Sequence, residues 1–165
     1  MDKHVDAVLL LGGNQGDRKE LLEEAVRLIG ERVGEVRLKS SLYETEPWGF
    51  EAEQKFLNQA VMASTKLSAQ MVLHEVLNIE RELGRVRTGK GYSSRTMDID
   101  VMFYGTESYE TAELTVPHPR LHLRRFVLVP LTEIIPGFIH PKFGKTIAAL
   151  LDCCPDKGTV SRFNF

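Results

Sequence analysis

The chain has 165 residues, with 21 Lys and Arg against 23 Asp and Glu, a formal charge of −2, and 42% hydrophobic against 27% charged residues. These globular proportions exclude a disordered, collagen-like or coiled-coil chain, and the length suits one domain over 1–165 rather than two. No apolar run reaches the ~18–20 residues of a membrane span, and a near-neutral charge argues against a general nucleic-acid binder.

The start, Met-Asp-Lys-His-Val-Asp, lacks a basic segment followed by an apolar stretch, so no secretory signal is expected. The only cysteines, Cys153 and Cys154, are adjacent and form no disulfide framework, which points to a reducing cytoplasm. His4 to Leu11 reads as an apolar strand, and Leu11 to Asp17 as a Gly-rich turn. A helix follows, capped by Asn14 or Asp17, with Leu21, Leu22, Ala25, Val26, Leu28 and Ile29 at helical spacing and Gly34 at its end. Glu35 to Tyr43 alternates as a half-buried strand. Glu44 to Gln54 is a loop, Phe56 to Leu67 a strand, and Leu67 to Leu83 a second amphipathic helix stopped by Gly84. Arg85 to Met97 is a basic loop and Asp98 to Tyr104 a strand. A Pro-His-Pro turn, a helix over Arg120 to Ile135 and a short tail complete the chain. The order β-α-β-β-α-β predicts an α+β, ferredoxin-like core: an antiparallel sheet with helices packed on one face, the other open to carry a site, plus a C-terminal helix and tail.

The sharpest chemical feature is Asp98-Ile99-Asp100 inside an apolar strand. Side chains two apart in a strand share a face, so the two carboxylates point the same way. Such a pair repels itself and needs cations. Oxygen-only ligation suits Mg²⁺, which completes its shell with water and phosphate oxygens. A solvated sheet edge is the alternative for the pair taken alone. Arg85, Arg87, Lys90 and Arg95 precede it in one loop, and His118, Arg120, His122, Arg124 and Arg125 follow it. Each cation alone suits a solvated surface, whereas the cluster beside two carboxylates favours a metal–polyphosphate complex. The glycines after Leu11 match neither the P-loop nor G-x-G-x-x-G, and a tight turn explains them.

Phe56 and Asn58 share a second strand face, near the Pro47-Trp48-Gly49 loop. An aromatic wall beside an amide suits a planar heterocycle, although core packing and capping explain the same pattern. His118 sits in a rigid turn, where it contacts phosphate, acts as an acid, or is simply structural. His74 reads as surface, Phe126 as core, and the cysteines have no assigned role.

Seven segments in order carry a resemblance: Leu11-Gly-Gly-Asn-Gln-Gly-Asp-Arg, Tyr43-Glu-Thr-Glu-Pro-Trp-Gly, Phe56-Leu-Asn-Gln-Ala-Val, Gly84-Arg-Val-Arg, Arg95-Thr-Met-Asp-Ile-Asp, Val116-Pro-His-Pro-Arg and Arg124-Arg-Phe-Val-Leu-Val-Pro-Leu. Over about residues 5–136 the chain resembles the 6-hydroxymethyl-7,8-dihydropterin pyrophosphokinases of folate biosynthesis. The resemblance implies a ferredoxin-like fold, ATP with two Mg²⁺, and transfer of the terminal two phosphates to the pterin hydroxymethyl with release of AMP. It implies Asp98 and Asp100 as metal ligands, with Arg85 and Arg95 catalytic alongside them. It places Arg85, Arg95, His118 and Arg124 at the triphosphate, with Glu80, Arg87 and Thr115 nearby. It places Thr45, Trp48, Phe56, Asn58 and Phe126 around the pterin, the two phenylalanines sandwiching the ring. The chain departs from the family pattern in Ser93-Ser94 before Arg95, where Gly-Pro is common, in Tyr92, where a Trp is common, and in Gly13 of Leu-Gly-Gly-Asn, where Ser is usual.

In-line attack of the pterin hydroxyl on the ATP β-phosphorus fits a chain without a nucleophile motif, and the Arg85 to Met97 loop suits a lid. Expected partners are ATP and a reduced pterin, with no nucleic acid and no membrane, and the chain acting as a monomer. Three other readings are an RNA-binding module on an open sheet, a metal-dependent phosphohydrolase and a regulatory small-molecule domain. The first is disfavoured by the Asp pair and the −2 charge. The second predicts phosphate release from ATP without pterin, and the third ligand binding without metal.

Overall fold

The computed structural model describes residues 3–45, 55–84 and 97–163. Strands are β1 (Val5–Gly13), β2 (Gly34–Lys39), β3 (Tyr43–Thr45), β4 (Phe56–Thr65), β5 (Asp98–Tyr104), β6 (Tyr109–Glu110), β7 (Thr115–Val116) and β8 (Val160–Arg162). Helices are α1 (Arg18–Arg32), α2 (Ala69–Leu83), α3 (Arg125–Ile134) and α4 (Ile147–Asp152). The main sheet runs β5-β1-β4-β3-β8, with β2 also on β4, and these strands pair antiparallel throughout. This is the split-βαβ order expected from the sequence.

α1 begins where the Asp17 side chain accepts the Glu20 N–H at 3.1 Å, so Asp17 and not Asn14 is the cap. Ser68 caps α2 in the same way, through the Met71 N–H at 3.2 Å, which starts that helix at Ala69 rather than Leu67. Both helices lay their apolar stripes (Leu22, Ala25, Leu28, Ile29; Ala69, Val72, Val76, Ile79) on one sheet face. There they meet Ala7, Leu9 and Leu11 of β1, Leu57, Val61 and Ala63 of β4, and Ile99 and Val101 of β5. Gly34 opens β2 rather than ending α1, whose C-cap is Val33, and it must be glycine because a Cβ there would lie 2.0 Å from the Ser64 carbonyl oxygen.

Four further expectations are corrected. The second sheet face is not open over its whole length. Val8, Leu10, Ala60, Met102 and Phe103 are covered by Val127, Leu128 and Leu131 of α3 and Ile147 and Leu150 of α4. Glu35 to Tyr43 is two strands, since the chain leaves β4 at Ser40, whose Oγ accepts the Ala60 N–H at 2.9 Å and whose carbonyl accepts from Gln59 Nε2 at 2.8 Å. Leu11 to Gly13 belong to β1 and not to a turn. The C-terminal helix starts at Arg125, after a single tight turn over Leu121–Leu123, and the tail holds α4 and β8. A carboxylate distant in sequence sets that start, since Asp156 accepts the Arg125 N–H at 3.1 Å. Cys154 is buried in the second core and acts there as a packing residue, while Cys153 is exposed.

No helix among the described residues is long and apolar enough to cross a membrane.

Candidate active site

Even-numbered residues of β1, β4 and the edge strand β5 face α3 at one end of the sheet and run past its cover at the other. In that uncovered part, Gly12 of β1 stands opposite Asp98 of β5 on one side and Asn58 of β4 on the other. A cavity of about 480 Å³ opens over this row, lined by Leu10, Leu11, Gly12, Thr45, Phe56, Asn58, Asp98, Asp100, Arg120, Leu123, Arg124 and Phe126. That size is typical of a small-molecule site.

Its chemistry is segregated by strand. β5 supplies the Asp98 and Asp100 carboxylates on one flank. They share one face, as strand alternation requires, and Ile99 between them is buried on the opposite, helix-packed face. β3 and β4 supply Thr45, Phe56 and Asn58 on the other flank. Asn58 is buried, and its Nδ2 donates to Thr45 Oγ1 at 3.2 Å. Gly12 is the floor between the flanks, and a Cβ on it would lie 2.3 Å from Asn58 Oδ1. A side chain there would therefore evict the amide, and the row Asp98, Gly12, Asn58 works only with hydrogen in the middle. At a strand spacing of ~4.8 Å, the Asp98 and Asn58 backbones stand about 10 Å apart.

The segment after β7 closes the cavity from above with Arg120, Leu123, Arg124 and Phe126. The β1–β5 register slips between Val8 and Leu9, so Met102 is passed over in the pairing and its carbonyl accepts the His118 N–H at 2.9 Å. That bond fixes the path of the segment over the sheet. The Arg124 guanidinium lies 5.9 Å from the centre of the Phe126 ring.

Seven of the site residues implied by the resemblance share one cavity, Thr45, Phe56, Asn58, Asp98, Asp100, Arg124 and Phe126, and Arg120 of the cationic cluster joins them. Phe126 lines the cavity rather than lying wholly in the core. Trp48, Arg85, Arg87 and Arg95 lie outside the described residues. Glu80, Thr115 and His118 are not among the lining residues. Glu80 reaches across from α2 instead, and its Oε2 accepts the Ile99 N–H at 2.7 Å, anchoring the strand between the two aspartates. Thr115 belongs to the two-stranded β6–β7 ribbon.

Burial, and secondarily the Arg124 and Arg120 charges, push His118 down to about 4. Its imidazole is therefore neutral near pH 7 and is no cation for phosphate and no proton donor in the imidazolium sense. Its Nδ1 accepts the Arg120 N–H at 3.2 Å, which leaves the proton on Nε2 as a neutral donor.

Sequence reading missed Gly12 as a floor and gave Arg120 no role of its own. Leu10, Leu11 and Leu123 were missed as walls. The signal for Gly12 was present in the Gly-Gly pair, but its meaning depends on a β4 residue 46 positions away, Asn58.

Among the described residues no three His, Cys, Asp or Glu side chains come together as a metal cluster. Two carboxylates on one wall, both oxygen donors, nevertheless suit Mg²⁺, which demands few protein ligands.

The model of the 7,8-dihydro-6-hydroxymethylpterin-pyrophosphokinase family matches residues 8–136, most of the chain and all of the described cavity lining. The chain belongs to this pyrophosphokinase family. A 2-amino-4-hydroxy-6-hydroxymethyldihydropteridine pyrophosphokinase of Porphyromonas gingivalis is 42% identical over 137 residues, covering 81% of this chain and 92% of that one. The protein of the same name from Bacillus subtilis is 43% identical over 129 residues, covering 78% of this chain and 77% of that one. The fold of this pyrophosphokinase family member superposes on a Plasmodium falciparum HPPK-DHPS crystal structure with pteroate, with a TM-score of 0.73 at 16% identity. That alignment covers 93% of this chain and 45% of the longer one, so the chain spans less than half of that protein, and the likeness speaks for the fold.

Proposed function

We propose that this pyrophosphokinase-family chain transfers the terminal diphosphate of ATP to the hydroxymethyl group of 6-hydroxymethyl-7,8-dihydropterin, releasing AMP, as a step of folate synthesis. The observation that carries this reading is the row Asp98, Gly12, Asn58 across three adjacent strands under one cavity. It sets an amide and an aromatic wall about 10 Å, two strand spacings, from a carboxylate pair. A bicyclic heterocycle held at Asn58 points its one-carbon arm at the aspartates.

The residues divide the work. Asn58 offers a carbonyl and an amino group to the ring edge. Thr45 holds the amide in orientation. Phe56 and Phe126 supply flat apolar faces for the ring, with Trp48 assigned to the same pocket by resemblance. Arg120 and Arg124 bring fixed positive charge to the phosphates. Arg85, Arg87 and Arg95 join them by resemblance, Arg85 and Arg95 stabilising the charge that develops as AMP departs. Glu80 holds β5 in place, so it acts on the aspartates through the backbone. Thr115 and the neutral Nε2–H of His118 are assigned to the outer edge of the ATP site.

Asp98 and Asp100 would hold the two Mg²⁺ that arrive with ATP, and those ions would offset phosphate charge and bring the two substrates together. The hydroxyl oxygen bonds to the β-phosphorus, the bond from that phosphorus to the α-bridging oxygen breaks, AMP leaves, and the hydroxyl proton is released. Nothing in the cavity is asked to form a covalent intermediate; the protein contributes position and charge. A single domain over 1–165, acting as a cytoplasmic monomer without nucleic acid or membrane, completes the proposal.

The test is incubation of the protein with Mg-ATP and 6-hydroxymethyl-7,8-dihydropterin. Formation of AMP and pterin diphosphate in equal amounts is expected. Phosphate release from ATP in the absence of pterin, with no AMP formed, would select a phosphohydrolase.

A further inference from the structure

Arg18, the first residue of α1, lies outside the cavity and has no part in the chemistry above. Its side chain is 15% exposed, and its Nη1 donates to Glu44 Oε2 at 2.9 Å and to the Lys55 carbonyl at 2.9 Å. Those two residues are eleven apart in sequence. Glu44 immediately precedes Thr45, and Lys55 immediately precedes Phe56. Thr45 and Phe56 face each other as the last pair of the β3–β4 ladder, and both line the cavity. β3 is only three residues long, so this ladder has little of its own to keep its end closed. The same guanidinium lies 5.3 Å from the ring centre of Phe163, just past β8, the strand that pairs with β3 on its other edge. One cation therefore ties together both stems of the 46–54 connection and the strand that backs them.

We infer that Arg18 is a positioning residue for the heterocycle half of the site. It holds the end of the β3–β4 ladder at the spacing that Thr45, Phe56 and, through Thr45, Asn58 require. It contributes nothing to the phosphate half, which is built on β5 and the segment after β7. This inference rests on the assignment of Thr45, Phe56 and Asn58 to the pterin.

The experiment measures pterin affinity, in the presence of a non-hydrolysable ATP analogue, and analogue affinity separately by titration calorimetry. Arg18→Met keeps the aliphatic stem and removes both hydrogen bonds. Its pterin Kd is expected to rise about tenfold, with analogue affinity and kcat at saturating pterin within about twofold. Arg18→Lys retains a multi-donor cation and is expected to recover most of the affinity. Phe56→Ala, run in parallel, tests the pocket itself. If Phe56→Ala weakens pterin and Arg18→Met does not, the positioning role is overturned while the pocket assignment stands. If neither weakens pterin, the pocket assignment fails and the positioning role falls with it. If Arg18→Met weakens both ligands equally, its effect is global and the inference is again overturned. Should Arg18→Met fail to fold, Glu44→Gln removes the charge of the partner while keeping its shape. About threefold weaker pterin binding is then expected, and unchanged affinity rejects the role.

Discussion

Gly12→Ala adds one methyl group and isolates one contact. Gly12 is not among the residues at positive φ, so alanine is allowed by the backbone. The new Cβ would lie 2.3 Å from Asn58 Oδ1, so that oxygen must retreat by at least about 0.7 Å to reach even a 3.0 Å contact. Thr45 stands on the far side of Asn58, on β3, so the retreat turns and presses the amide out of the orientation in which its Nδ2 donates to Thr45 Oγ1 at 3.2 Å. Pterin binding must then restore the amide's orientation against a penalty of about 1–3 kcal/mol, which is roughly a 5- to 150-fold loss of affinity. Overpacking can lower stability by a similar amount, so a change in Tm does not separate the cases. A double-variant cycle does. Asn58→Ala removes the group that the added methyl would strike, so Gly12→Ala combined with Asn58→Ala should bind pterin no worse than Asn58→Ala alone. Calorimetric titration of all three variants reads this directly. Wild-type pterin affinity in Gly12→Ala, or a double variant whose losses simply add, would refute the reasoning.

Asn58→Ala should weaken pterin binding at least tenfold more than ATP binding, and equal weakening of both would place Asn58 elsewhere. Asp98→Ala or Asp100→Ala should lower turnover by orders of magnitude while circular dichroism and the melting transition stay close to wild type; near-normal turnover removes the metal assignment. Burial, with smaller effects of the His122 and Lys142 charges, holds His140 at about 4, and its Nδ1 accepts the Lys142 and Phe143 N–H groups at 3.1 and 3.2 Å. With an unfolded value near 6.5, its contribution to stability is complete above pH 6.5 and is lost as pH falls towards 4. By pH 5 that loss is about 2 kcal/mol, measured by urea unfolding at pH 7 and 5. A His140→Phe variant should lose less stability over that range, and an identical pH dependence would rule His140 out as its source. His118 should titrate near 4 in the free protein and higher with an ATP analogue bound, since phosphate offsets Arg120 and Arg124; an unchanged value on an NMR titration would move His118 away from the phosphates.

Much of the site was legible because strand alternation is local. Asp98 and Asp100 lie two apart in an apolar run, as do Phe56 and Asn58, and both pairs point into the cavity as their spacing requires. The α1 and α2 faces were equally readable from helical spacing. What eluded the reading depends on contacts between distant residues. The break at Ser40 is made by Gln59 and Ala60, and the start of α3 by Asp156. The bond from Glu80 on α2 to the Ile99 N–H of β5 likewise joins residues 19 positions apart. The resemblance to known pyrophosphokinases named the flanking residues, but not the glycine between them as a spacer or the arginine behind them as a brace.

Taken alone, the order of residues determined α1 and α2 with the faces they bury, the strands β1, β4 and β5, and that two carboxylates share a side. Those follow from backbone geometry and apolar periodicity over a few residues. The distance from acid to amide, the need for hydrogen at position 12 and the neutral state of His118 were decided only by the assembled sheet. Each depends on strand register and on solvent exclusion by residues far along the chain, and neither quantity exists until the sheet has closed.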